Sequence, residues 1–168
     1  GATPLAPPTR WQMAERPDGT KYSGTSLHPP ATQENVDAVR QIRALKPRTI
    51  FLDDDFRLAQ GPGVIGGCFC DWHKQQFLEK YGFSPSQWED LLADVEARNF
   101  SPILRYWVDH TCDQLTACFK AQQAAAPEVA LGNMIMYLGA EKAGIRLADY
   151  AEAPFRVGEM MFHDRDFG

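Results

Sequence analysis

The sequence predicts an α/β fold built on parallel strands, and three observations carry that prediction. Ile50-Phe51-Leu52 runs straight into Asp53-Asp54-Asp55, as a buried strand does when its C-terminal end opens onto a site. Burying three adjacent carboxylates without partners would cost more than a small domain can absorb, so these acids belong at an opening. Two further strand patterns, near 129–137 and 155–162, each follow helical stretches. The resulting order of strand, helices, strand, helix, strand implies parallel neighbours joined by right-handed crossovers.

Composition narrows the function classes. A chain of 168 residues, 44% hydrophobic, reads as one globular domain. A net charge of −5 and a pI near 5.3 argue against nucleic acid as a partner, since a binder normally carries a basic stripe. No apolar run approaches the length of about 18 residues that a membrane-spanning helix needs, so no membrane partner is expected. Four cysteines are too few for a disulfide scaffold, and Cys68 and Cys70 are too close for an easy mutual bridge. Reduced thiols are expected, and a cytoplasmic compartment is slightly favoured.

Taken in order, residues 1–31 are rich in proline and read as an irregular N-terminal segment with a small hairpin at Asp18-Gly19. The α/β domain then occupies 32–168. Thr32 is the expected N-cap of a helix to about Leu45, with Val36, Val39, Ile42 and Leu45 as its apolar stripe and Pro47 beyond its end. The first parallel strand is near 49–54. Residues 60–67, with four glycines and a proline, form a loop. A helix over 72–81 stops at Gly82, and Ser84-Pro85-Ser86-Gln87 is a capping box opening another to about Arg98. A long helix from Pro102 to Ala126 carries Ile103, Leu104, Trp107, Val108, Leu115, Cys118 and Phe119 on its core face. A short helix over 141–150 separates the last two strands.

Two motifs carry chemistry. In the first, Asp53 and Asp55 share one strand face and Asp54 takes the other. Paired carboxylates raise one another's pKa, as a proton donor near neutral pH requires. Arg57 is the natural partner for one of them, or a grip on a substrate oxygen. A solvated strand end explains the same residues without a function. The second motif is Cys68-Phe69-Cys70-Asp71-Trp72-His73, a C-x-C-x-x-H whose thiolates and imidazole can converge on a tetrahedral zinc ion. Zinc is expected as a structural cofactor on Cys68, Cys70 and His73, with the fourth ligand coming from His28, from Asp71 or from a partner chain; two buried thiols and a surface histidine are the plain alternative.

The acid-ended strand, the loop with C-x-C-x-x-H and the helix ending in Tyr81-Gly82 together resemble the fourth βα unit of family-42 glycoside hydrolases, β-galactosidase-like TIM barrels. In that family the strand ends in Asn-Glu, the Glu being the general acid/base, and a C-x-C-x-x-C holds a structural zinc. The resemblance places Asp54-Asp55 at the Asn-Glu positions and makes Cys68, Cys70 and His73 zinc ligands. Asp55 is one methylene shorter than the family's acid. The resemblance implies a partial (β/α)₈ TIM-barrel segment covering units four to six, because a complete barrel takes about 250 residues. It further implies a β-galactoside-like carbohydrate substrate cleaved by two carboxylates with retention.

Asp55 and Asp54 are then the catalytic candidates, with Glu159 on the third strand as the only visible second carboxylate. Asp53, Arg57, His163, Asp164 and Trp11 are candidate substrate-binding residues. Cys112, Cys118 and His110 read as helix packing. Two rivals remain: a non-catalytic, zinc-pinned carbohydrate-binding or structural module, and a hydrolase binding hard cations such as Mg²⁺ or Ca²⁺ through the Asp cluster. A partial barrel leaves open strand edges and half a core, so a homo-oligomer or a missing barrel half is the expected partner.

Overall fold

The computed structural model describes residues 11–53, 56–58, 64–135 and 140–158. The chain opens with an antiparallel hairpin, β1 (Met13–Glu15) and β2 (Lys21–Thr25). The Asp18 side chain makes its turn, accepting from the Thr20 amide at 2.9 Å and the Thr20 hydroxyl at 2.7 Å, and Gly19 takes the left-handed φ of 80°.

Helix α1 (Pro29–Arg43) begins three residues before the expected Thr32 cap. Pro29 and Pro30 open it, because the first helical positions need no amide donor and favour proline's fixed φ. Of the expected stripe, Val36 and Val39 are buried, whereas Ile42 and Leu45 are exposed. The helix ends at Arg43 and its last turn runs past the core, where Arg43 pairs with Glu128.

Strand β3 (Thr49–Leu52) follows. Helix α2 (Asp71–Tyr81) stops at Gly82, whose φ of 70° is the left-handed cap glycine provides cheaply. Helix α3 (Pro85–Ala97) has the expected capping box, the Gln87 side chain accepting from the Ser84 amide at 2.9 Å. Helix α4 (Pro102–Ala125) is capped by Ser101. Strand β4 (Ala130–Ile135) comes next, then two 3-10 turns, Ala140–Ala143 and Leu147–Tyr150, where one helix was expected. Gly144, at φ 88°, breaks the segment. Strand β5 (Arg156–Gly158) is the last described element.

The fold is mixed α/β. Strands β3, β4 and β5 form a parallel sheet in sequential order, with Ile50 opposite Leu131 and Asn133 opposite both Leu52 and Arg156. The described strands do not close a barrel. One face of the sheet packs on α1 and α4 through Ile50, Leu131, Val36, Val39, Leu115 and Phe119. Strand β3 is therefore buried on one face rather than throughout as its apolar run implied. Phe51 points the other way, 42% exposed and stacked on Phe155 at 6.0 Å. That stack needs Gly132 beneath it, since a Cβ there would meet the Phe155 carbonyl at 2.3 Å. A second core, aromatic, joins α2, α3 and α4 through Phe69, Phe77, Trp88, Leu91 and Trp107.

Candidate metal centre

Four side chains from three parts of the chain converge beside the hairpin: His28, Cys68, Cys70 and His73, with one ligand atom from each lying within 4.8 Å of the others. Local structure explains each placement. Cys70 is the N-cap of α2 and His73 lies three residues on, so the first helical turn sets imidazole against sulfur, with Nδ1 3.2 Å from the Cys70 Sγ. His28 is the N-cap residue of α1 but makes no side-chain cap bond, and its Nε2 lies 3.6 Å from the same sulfur. Cys68 packs with Ala14 and Tyr22 of the hairpin, and its sulfur accepts from the Glu15 amide at 3.4 Å.

The two distances from the Cys70 sulfur are compatible with a tetrahedral ion. Zinc bonds of about 2.3 Å to sulfur and 2.0–2.1 Å to nitrogen imply sulfur–nitrogen edges of roughly 3.5 Å, between the two observed here. The electrostatics fit as well. Burial pushes the Cys68 thiol up to about 12, outweighing the backbone hydrogen bonds from Cys70 and Glu15 that favour the thiolate, so this corner offers too little compensation for a negative sulfur. A bound cation would supply it and release the proton. His73 is fully buried, and burial lowers its pKa to about 3, with His28 and His110 adding to the effect. It is therefore held neutral, the form that ligates metal.

The loop bearing the thiols is fixed independently of any ion. The Gly67 amide donates to the Leu58 carbonyl, the Gly66 amide to Lys142 and the Leu58 amide to Ala143, at 2.6–2.8 Å. Trp107 Nε1 donates to the Gly66 carbonyl at 2.9 Å. Both glycines are required: a Cβ on Gly66 would meet the Leu58 carbonyl at 2.4 Å, and one on Gly67, at φ 100°, would strike Thr111 and Trp107 at 2.8 Å. The 3-10 segment that accepts the Gly66 and Leu58 amides is held by Arg146, which bridges Asp109, Asp113 and Asp149 at 2.8–3.2 Å. Arg105 adds a bond to Glu141 at 2.9 Å.

The structure thus groups the three expected ligands with one of the candidates for the fourth. His28 joins them, whereas Asp71 stays exposed on the first turn of α2. Asp53 is exposed at the end of β3 and Arg57 is half-buried nearby in sequence. Trp11 is half-buried two residues before β1. Asp54, Asp55, Glu159, His163 and Asp164 lie outside the described residues. Sequence reasoning missed the Arg146 network, although Arg105, Asp109 and Asp113 at four-residue spacing along α4 were its visible trace. Compared with protein-family models, with curated proteins and with solved structures, the chain gives no significant match.

Proposed function

We propose that this chain is a carbohydrate-active βα-barrel segment of glycoside-hydrolase type, braced by a structural zinc ion on His28, Cys68, Cys70 and His73. The observation that carries the reading is the convergence of these donors on the loop that follows the acid-ended strand β3. Four protein ligands leave no open coordination position, which assigns the ion a structural rather than a catalytic part. Zinc supplies charge compensation for the two thiolates and a cross-link between α1, the loop and α2. The carboxylates do the chemistry. Asp55 protonates the leaving oxygen of a β-galactoside-like sugar, Asp54 flanks it, and Glu159, one residue beyond β5, is the candidate second carboxylate. Arg57 and Asp53 contribute from the same strand end.

The sequential parallel order of β3, β4 and β5 supports a barrel segment, because neighbours in a barrel follow one another in the chain. The partial exposure of described residues on the far sheet face supports it too. Parallel sheets bury both faces, and here Phe51 and Val157 stand on β3 and β5 42% and 41% exposed. The remaining barrel half, or a second copy of the chain, is the partner that would cover them.

Hydrolysis of nitrophenyl glycosides by zinc-loaded protein, beside Asp55→Asn and Glu159→Gln, tests the enzyme reading. Turnover lost in both variants supports a two-carboxylate site. A folded, zinc-containing protein inactive on every sugar leaves the second reading, a zinc-pinned binding or structural module, which the closed four-ligand donor set favours. Metal analysis finding no zinc at one ion per chain would sink both.

A further inference from the structure

A cavity of about 270 Å³ opens between the hairpin, the 64–69 segment and the C-terminal turn of α3. Its lining divides into an apolar wall and a charged rim. Tyr22 and Phe69 are buried aromatics on the wall, and both are held in place. The Tyr22 hydroxyl donates to the Gly67 carbonyl at 3.3 Å, while the Phe69 ring lies 4.6 Å from Trp107 and 6.0 Å from Trp88. Arg16 lines the cavity with its guanidinium 5.0 Å from the Tyr22 ring. Across from the hairpin, Arg98 and Glu96 lie at the end of α3, both exposed. Arg98 caps α3 in the left-handed conformation at φ 54°, with its amide bonded back to Val95.

The chemistry of this lining is selective. A preformed, largely apolar lining that includes two aromatic side chains suits a flat hydrophobic ring, and an apolar cavity of roughly 150 Å³ already admits benzene. The volume here leaves room for a ring with a short acid side chain. Among the described lining residues Arg16 and Arg98 stand beside Glu96, and the planar fork of arginine pairs with a carboxylate through two parallel bonds. We infer that this cavity binds a small aromatic carboxylate, its ring against Tyr22 and Phe69 and its acid group at Arg98. Asp53, the described acid at the end of β3, is not among the described residues lining the cavity, and occupancy does not depend on glycoside hydrolysis.

The probe is phenylacetate, with phenylacetamide as its uncharged counterpart and methyl β-galactoside as a neutral sugar. Titrations use the full chain in equimolar zinc and are followed by tryptophan fluorescence, to which Trp88 and Trp107 report through Phe69. Saturable binding of the acid is expected, with the amide about tenfold weaker because it loses the charge-assisted pair. Arg98→Gln, an exposed change that leaves the core untouched, should bring the acid down to the level of the amide. Glu96→Gln should tighten it, and Val64→Trp, at an exposed position on the lining, should block both ligands. Equal affinity for acid and amide, binding of the sugar in preference to either, or no saturation with protein that still melts cooperatively would each overturn the inference.

Discussion

Two of the buried imidazoles, His73 and His110, differ in what surrounds them. His73, in the first turn of α2, faces the Cys70 sulfur and shares its corner with Cys68 and His28. His110, midway along α4, is enclosed by the rings of Phe77, Tyr81 and Trp107, and neither of its ring nitrogens has a hydrogen-bond partner. Burial lowers both pKa values, to about 3 and about 4. A depressed pKa therefore does not distinguish a site from a packing position. Converging donors of matching softness do, and of these two His73 alone has them.

The comparison is sharpened most by removing the metal. With zinc in thousandfold excess over its dissociation constant, binding stabilises the fold by about 4 kcal/mol. A chelator strong enough to strip the ion should lower Tm by roughly 10 °C for a chain of this size. Cys70→Ser should reproduce that loss and abolish the response to chelator, whereas His110→Leu should leave the response intact. Calorimetry with and without chelator reads all three. A wild-type Tm indifferent to chelation would reduce the His73 corner to the same standing as His110.

A substitution between the two histidines comes next. Gly67 sits one residue before Cys68, against Thr111 and Trp107 of α4. Gly67→Ala adds a methyl group at a left-handed φ into two fixed side chains, costing about 2–3 kcal/mol. The displaced loop carries Cys68 with it, so zinc affinity measured by competition with a chromogenic chelator should fall as well. Lost stability with unchanged affinity would show that the loop bonds, rather than the ion, hold the donors together.

How much of this was legible depended on range. Capping box, glycine stop, hairpin turn and the spacing of Cys68, Cys70 and His73 are written within a few residues, and each stands in the structure where the pattern put it. The fourth ligand was legible only as a choice. His28 lies 40 positions before Cys68 in the chain, and what brings it to the sulfur is the packing of the hairpin on the loop, which no local pattern encodes. The start of α1 was misplaced for a related reason: Pro29-Pro30 signals irregular chain by composition, yet it opens a helix when it occupies the first turn. Strand β3 read as buried because its residues are apolar. Which face is covered depends on elements more than fifty residues away, and α4 covers only the Ile50 side.

The smallest effect is the most discriminating for His110. Two buried ring nitrogens without partners are a standing cost, and leucine is of similar size without polar atoms. His110→Leu should therefore stabilise the protein at pH 7 by about 1 kcal/mol, a rise in Tm of a few degrees. The sign of the pH dependence follows from burial. The folded pKa lies below the unfolded value of 6.5, so the neutral imidazole is fully compatible with the fold above that value. As pH falls from 6.5 toward about 4, the unfolded chain takes up a proton that the folded chain refuses, and stability is lost. The leucine variant should lose less across that window than wild type, with both proteins zinc-loaded so that protonation of the metal ligands cancels. Parallel acid limbs would mean that His110 finds a proton acceptor in solution, and the contrast with His73 would then rest on the thiols alone.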